Sequence, residues 1–243
     1  MNKRERLNNP PINQVIIAVE LKDIFTKKDD IDTFYEKFSL KKQYSKKQEI
    51  KSVTFEMGES PKVINDISQI YNLSNEANTE QIQIGKSKLL FVDKNKYTKF
   101  DVFFNKFSKI LDDTKRIFGQ EICIKTIGLR YINIFDFSSE TCQNHFSIMP
   151  NIETMCDNGN YGLIKNYMSV INLVSSKNEN ISANVKTMFK LKSNNLLNIV
   201  FDIDTKIINV NTNYKDEILK LKEFENNIFF SNFKDIYNIK EFQ

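Results

Sequence analysis

Residues 122 to 137 read ICIKTIGLRYINIFDF and form the longest strand-like stretch of the chain. Alternate residues of a strand point to opposite faces of its sheet, so even-numbered and odd-numbered positions lie on different sides. The even-numbered side holds four isoleucines and, among them, Arg130. We interpret this side as the more apolar one. Burying an unpaired guanidinium is costly, so the sequence predicts either carboxylate, carbonyl or water partners for Arg130 or a face held open for a ligand.

Two aspartates near the end of a later predicted strand are the best acidic candidates for that partnership. Asp202 and Asp204 are two residues apart, so their carboxylates share one face of the strand and lie roughly 7 Å apart along it. One interpretation is an acidic pair that faces solvent at the strand end. The other is a cation site or a partner for Arg130. We predict that the Arg130 guanidinium lies within hydrogen-bonding reach of one of the two aspartates.

Three stretches carry a resemblance to a known family: NPPINQVIIAVEL at 9–21, IGLRYIN at 127–133 and LLNIVFDID at 196–204. The chain resembles a sporadically distributed, uncharacterised bacterial protein family whose members share an NPP-type entry to the first strand, a central RIGLRYINR-type strand and a late Asp-Ile-Asp strand. The resemblance extends from Asn9 to about Phe233 and implies a full-length member. Lys125 and Thr126 stand where the family's first arginine is expected, and Ile134 stands where its second lies. The resemblance implies a fold and assigns no catalytic residues.

The composition indicates a packed protein. The chain has 243 residues, 40% of them hydrophobic, with 20 Phe and 9 Tyr, which is enough for one large domain or two small ones. Six Gly and four Pro are few, which argues against a Gly-rich phosphate loop or a barrel built from many tight hairpins. The net charge of +4 is too small to indicate a nucleic-acid surface by itself.

The sequence also bears on location. No apolar stretch approaches the roughly 20 residues that span a bilayer, and no signal-like apolar run follows the basic start. Three cysteines fit reduced thiols better than a disulfide framework. We therefore expect a cytoplasmic protein with no membrane partner.

Hydrophobic periodicity predicts the secondary structure. We predict strands at 12–21, 50–56, 81–85, 88–92, 122–137, 163–175, 184–191 and 196–204, helices at 29–40, 97–118 and 214–232, and an ambiguous segment, irregular or strand, at 63–78. The helix at 97–118 has the clearest apolar stripe, which predicts that Phe104 and Phe107 are buried against a sheet. Gly119 is its expected stop.

The order of these elements predicts an α+β fold: antiparallel sheets with long aromatic-rich helices packed on one face. A strand pair followed by an aromatic-rich helix occurs at 81–118 and again at 184–232, which suggests two pseudo-repeated halves. We place the N-terminal α+β half at 12–137, a connecting loop region at 138–162, and a β-rich C-terminal half ending in a long helix at 163–238.

Only one group of residues resembles a metal site. Cys142, His145 and Cys156 include a C-x-x-H spacing, but zinc needs four ligands, or three and a water, and no second paired spacing exists. We read the group as small buried thiols beside the chain's only histidine and predict no metal and no cofactor. A single histidine also weakens any Ser-His-Asp or Cys-His mechanism.

A lysine-rich segment surrounds one aromatic residue: Lys41, Lys42, Tyr44, Lys46 and Lys47. Basic residues interleaved with an aromatic can bind phosphates and stack a base. Such a run is more often a solvated turn, and nothing elsewhere extends it, so nucleic acid is a disfavoured partner.

These observations lead to a hypothesis and two alternatives. With no catalytic set in the sequence, we expect a non-catalytic cytoplasmic binding or interaction protein, with a protein partner or a homo-oligomer. The resemblance to a sporadically distributed family implies a component of a bacterial accessory or phage-defence system. The first alternative is an enzyme or sensor that binds a phosphate- or carboxylate-bearing ligand at Arg130, Tyr131 and Asn133. A pocket with Arg130 at its floor would favour it, and Arg130 sealed in a salt bridge would not. The second alternative, a chaperone-like holdase, needs an exposed apolar groove.

Overall fold

The structure is a computed structural model of the full chain. It describes residues 7, 10–21, 28–56, 62–85, 87–95, 97, 99–119, 123–138, 166–192, 196–210 and 213–233. Within these ranges, no helix has the length and apolar character needed to cross a membrane.

Nine strands and three helices make up the described part of the chain. The strands are β1 (Ile12–Leu21), β2 (Lys46–Glu56), β3 (Lys62–Ser74), β4 (Glu80–Ile84), β5 (Lys88–Asp93), β6 (Ile124–Ser138), β7 (Asn166–Val174), β8 (Ile181–Leu191) and β9 (Leu196–Ile208). The helices are α1 (Lys28–Lys37), α2 (Phe100–Phe118) and α3 (Tyr214–Ser231). The strands hydrogen-bond in the order β2-β3-β4-β5-β1-β6-β9-β8-β7. The predicted α+β class, with a large antiparallel sheet, is confirmed.

The ambiguous segment at 63–78 proves to be mostly strand. β3 pairs antiparallel with β2, where Leu73 is opposite Lys47, and with β4, where Leu73 is opposite Ile82. Its backbone groups are therefore paired with β2 along most of the strand and, at residues 71–74, with β4 as well. The local pattern was ambiguous because this pairing, and not the segment's own alternation, determines its conformation.

The chain consists of two compact units. One comprises Met1–Val15, Leu129–Ile207 and Lys215–Gln243, and the other comprises Ile16–Gly128 and Ile208–Tyr214. Apart from Ser138, the predicted connecting region at 138–162 lies outside the described residues. That boundary stays a prediction.

In the first unit, α3 covers one side of β6, β8 and β9. Phe229 of α3 packs on Phe201 of β9 with ring centroids 6.1 Å apart, and Phe233 packs edge-on against Phe135 of β6 at 5.7 Å. These rings belong to a core of buried residues that also includes Phe137, Val185, Phe189, Ile199 and Ile203. The odd-numbered side of β6, β8 and β9 is therefore the core side of this unit.

In the second unit, α2 supplies the aromatic core. Phe103 stacks on Phe91 of β5 at 5.3 Å, and Phe107 is fully buried, as predicted. Phe104 is only half-buried, so that part of the prediction is wrong: it stacks on Phe100 along the helix at 5.7 Å. The helix ends at Gly119, as expected from the sequence. Its φ of 103° suits glycine, and its N–H donates to the Lys115 carbonyl at 2.8 Å.

Candidate functional site

Arg130 on β6 forms a two-pronged ion pair with Asp202 on β9. Its Nε donates to Oδ1 at 2.8 Å and its Nη2 donates to Oδ2 at 2.6 Å. The predicted pairing with one of the two aspartates is confirmed, and the partner is Asp202. The hydrogen bonds to Asp202 raise the pKa of Arg130, and the nearby charge of Asp204 adds to the effect. Both residues belong to the first unit.

The side of β6 that carries Arg130 is the more exposed one, which corrects our interpretation of the strand. The Arg130 side chain is 40% exposed, while that of Asp202 is 9% exposed. The opposite, odd-numbered side holds Leu129, Phe135 and Phe137, which are buried. Isoleucines mark the Arg130 side, but the aromatic rings of the other side offer α3 more apolar area. The guanidinium is therefore paired at a surface and not enclosed in a core.

Tyr131 and Asn133 point away from Arg130. Both are buried on the core side, and the Asn133 Nδ2 donates to the carbonyl of Phe201 at 3.0 Å. Asn133 thus satisfies its amide within the sheet. The structure brings Arg130 together with Asp202 and does not bring it together with Tyr131 or Asn133 at one surface.

The lysine-rich segment does not present its aromatic residue to solvent. The Tyr44 ring is buried, and its hydroxyl donates to Glu80 Oε2 at 2.8 Å. Burial is the largest cause of the raised pKa of Tyr44, and the hydrogen bond to the Glu80 carboxylate raises it further. Lys41 and Lys46 lie near Glu36 and Glu76, at 3.4 and 3.8 Å, and Lys47 pairs with Asp32. Base stacking on Tyr44 is not available in this arrangement.

Glu80 is the centre of a polar cluster in the second unit. Besides Tyr44, it accepts hydrogen bonds from Gln43 Nε2 at 3.0 Å, Asn95 Nδ2 at 3.1 Å and Lys106 Nζ at 2.7 Å. These bonds tie the segment before β2 and the helix α2 to β4. Because its oxygens are used by these internal donors, the carboxylate has a structural role.

The predicted metal-like group lies outside the described residues, since Cys142, His145 and Cys156 all fall between 139 and 165. Within the described ranges, no three His, Cys, Asp or Glu side chains come together as a metal site would require.

The side of β6, β9, β8 and β7 that lies opposite α3 is here called the open face, and it carries the Arg130–Asp202 pair. Asp202 on β9 is opposite Lys186 on β8, which in turn is opposite Val170 on β7. Directly opposed residues share a face, so the open face runs from a charged centre to an apolar margin.

β7 forms that margin, and sequence reasoning did not single it out. Among the described strands it has a neighbour, β8, on one side only. Met168, Val170 and Val174 are 60, 50 and 67% exposed, and all three lie on the open face. The sequence signal that could have found it is NYMSVINLV, nine residues without a charge, glycine or proline.

Comparison of the sequence with protein-family models finds no matching model, and comparison with curated proteins finds no match. Membership of the sporadically distributed bacterial family therefore stays a prediction, and the function is inferred from the geometry of the described residues.

Proposed function

We propose that the protein is a non-catalytic interaction protein that pairs its edge strand β7 with an extended strand of a second polypeptide. The single observation that carries the proposal is the exposed, uncharged, apolar edge at Met168, Val170 and Val174. Exposed apolar patches on sheet edges are typical of strand addition and of subunit interfaces.

The backbone of β7 offers hydrogen-bonding groups to that second strand. Ser175 N–H donates to the Ile181 carbonyl at 2.9 Å, which sets the alternation of the antiparallel pair with β8. Residues 169, 171 and 173 therefore point their N–H and C=O groups toward β8, and residues 168, 170, 172 and 174 point theirs outward. These four outward positions are enough to hydrogen-bond to a short strand of a partner.

Within its own nine residues, β7 lacks the charges, prolines and bulges that usually protect a sheet edge. Natural edges are blunted by lysine, proline, bulges or inward charges. β7 contains no charged residue and no proline, and its pairing with β8 runs without a register shift from Asn166 to Val174. A strand of this kind is a hazard unless it has a partner, which supports a paired state.

The partner best matched to β7 is a second copy of the chain. Since β7 has no charge, antiparallel self-pairing never places like charges opposite one another. A twofold axis at Val170 would set that residue against its own equivalent and Met168 against Asn172. A closed, isologous dimer of this type covers the β7 edges of both copies at once.

Three further features belong to the proposal. We place the protein in the cytoplasm as a component of a bacterial accessory or phage-defence system, which the sequence resemblance supports. We also propose two pseudo-repeated halves whose long helices cover one face. The repeated order β4-β5-α2 and β8-β9-α3 supports that duplication.

Sedimentation equilibrium over a range of protein concentrations tests the proposal. Val170→Lys puts a charge at the centre of the edge, and Val102→Lys is the matched control because Val102 is 47% exposed on α2. We expect the wild-type chain and Val102→Lys to dimerise and Val170→Lys to remain monomeric. A wild-type chain that stays monomeric up to about 1 mM, or two variants that behave alike, would contradict the proposal.

A further inference from the structure

A cleft in the first unit lies between the β7–β8 turn and α3. Its volume is about 560 Å³, within the roughly 300–1,000 Å³ typical of small-molecule sites. The turn contributes Ser175, Ser176, Lys177 and Asn178, and α3 contributes Lys220, Glu223, Phe224 and Asn227. It is distinct from the edge of β7 and from the Arg130 pair.

Lys177 provides an available positive charge at the turn side of this cleft. Its side chain is exposed, and within the described ranges it forms no ion pair. Lys220 also carries a positive charge, but it is held by Glu217 at 3.0 Å. The lining carboxylate, Glu223, is on α3 and not on the turn. An anion would therefore be favoured at the Lys177 end.

Two local hydrogen bonds shape the turn. Lys177 N–H donates to Ser175 Oγ at 3.3 Å, and Asn180 N–H donates to Asn178 Oδ1 at 3.0 Å. These local bonds fix the backbone of a tight connection. Ser176 and Asn178 flank Lys177 in the lining and carry a hydroxyl and an amide that can donate, and donors of this kind together with an ammonium attract oxyanions.

The floor of the cleft is apolar. Ile181 is buried at the start of β8, and Phe224 is partly buried against the core of the unit. An aromatic face of this kind accepts a ring by stacking. A lining that combines polar groups with apolar side chains is typical of a site that orients an amphipathic small molecule.

The geometry points to this cleft as a binding site for a small molecule that joins a phosphate or carboxylate group to a ring. Lys177, with Ser176 and Asn178, holds the oxyanion, and Phe224 contacts the ring. The site does not depend on β7 pairing, so either conclusion can fail without the other.

Titrations of the isotope-labelled chain, followed by amide NMR shifts, test the assignment. The probes are adenosine 5′-monophosphate, adenosine as the ring without an oxyanion, and phenylacetate as a ring with a carboxylate. We expect saturable shifts at Ser176, Lys177 and Asn178 with the monophosphate or with phenylacetate, and at least about tenfold weaker binding of adenosine. Binding of one anionic probe and not the other identifies which oxyanion the site takes.

Lys177→Met should weaken binding of the anionic probe at least about tenfold, and Lys190→Met should leave it unchanged. Lys190 is a suitable control because it is exposed on β8 and forms no ion pair within the described ranges. The assignment would be overturned if neither anionic probe gave saturable shifts, or if adenosine bound as tightly as the anionic probes. It would also be overturned if Lys177→Met and Lys190→Met changed the affinity for the anionic probe equally.

Discussion

The guanidinium of Arg130 on β6 donates hydrogen bonds to both carboxylate oxygens of Asp202 on β9, from Nε to Oδ1 at 2.8 Å and from Nη2 to Oδ2 at 2.6 Å. The two residues are 72 positions apart in sequence, so the pair links two distant parts of the chain within one sheet. Two-pronged, charge-assisted bonds of this geometry are stronger than single neutral hydrogen bonds. Solvent at the exposed guanidinium screens the interaction and keeps its net contribution below that of a fully buried pair.

The first prediction is a coupling between these two residues. Arg130→Met leaves a nearly buried Asp202 without its partner, and Asp202→Asn removes the charge that holds Arg130. In urea unfolding of both single variants and the double variant, we expect a coupling energy of about 1–2 kcal/mol. The control cycle pairs Arg130→Met with Asp204→Asn, since Asp204 is exposed, and should give a clearly smaller coupling. Equal couplings in both cycles would contradict the assignment of Asp202 as the partner.

The second prediction concerns the bond between Tyr44 and Glu80. Tyr44→Phe removes a buried hydroxyl that donates to a carboxylate at 2.8 Å, and bonds to charged groups contribute about 1.5–3 kcal/mol. We expect a loss in that range in thermal or urea unfolding. Tyr35→Phe is the control, because the Tyr35 hydroxyl is exposed and its bond to the Ser45 carbonyl is 3.3 Å long. Tyr35→Phe should lower the free energy of unfolding by less than about 0.5 kcal/mol.

The third prediction is a pH dependence that comes from Glu225 on α3. Burial raises the pKa of this carboxyl well above its ordinary value of 4.5, and the positive charge of Lys222 only partly opposes the shift. The folded chain therefore keeps a proton that the unfolded chain releases above about pH 4.5. At a pH between the Glu225 pKa of the unfolded chain and the raised pKa of the folded chain, the folded state binds more protons than the unfolded state. The free energy of unfolding therefore decreases as pH rises in this interval, by up to about 1.4 kcal/mol per pH unit.

Glu225→Gln should remove this decrease and raise the stability at neutral pH relative to the wild-type chain. The measurement is the free energy of unfolding in urea from pH 4.5 to 8. Glu223→Gln, an exposed neighbour on the same helix, should leave the wild-type slope in place. A Glu225→Gln variant with an unchanged slope would mean that Glu225 is not the group responsible.

The fourth prediction compares two phenylalanines of α2. Phe107 is fully buried, so Phe107→Ala should cost about 3–5 kcal/mol through lost burial and a cavity. Phe104 is half-buried, and its replacement by alanine should cost clearly less. Chemical denaturation of both variants measures the difference. A loss under about 1 kcal/mol for Phe107→Ala would mean that this face of the helix packs on no core.

The sequence predicted most of the elements because their apolar patterns are local. β1 begins and ends where alternation predicts it, at Ile12 and Leu21, and α2 ends at Gly119 as predicted. β3 was ambiguous because its pairing with β2 and β4, and not its own alternation, determines its conformation. The covered side of β6 was misassigned because the choice depends on which residues α3 contacts, and no local pattern records that contact.

The candidate site was predicted less completely for a related reason. The Arg130–Asp202 pair could be anticipated, since a guanidinium among isoleucines needs an acid and few acids share a strand face. The uncharged stretch NYMSVINLV could have singled out β7, but its place at the edge of the sheet could not be anticipated, because that place depends on the strand order. The same nine apolar and polar residues would be unremarkable in a strand with two neighbours.

Amide hydrogen exchange along β7 tests the central claim most directly, because a second strand protects alternate residues only. At protein concentrations above the dimerisation constant, the outward amides of Met168, Val170 and Asn172 should exchange slowly, and dilution or Val170→Lys should restore fast exchange. The amides of Ser169 and Ile171, which face β8, should stay protected in every sample. Fast exchange at the three outward amides at all concentrations would contradict the pairing of β7.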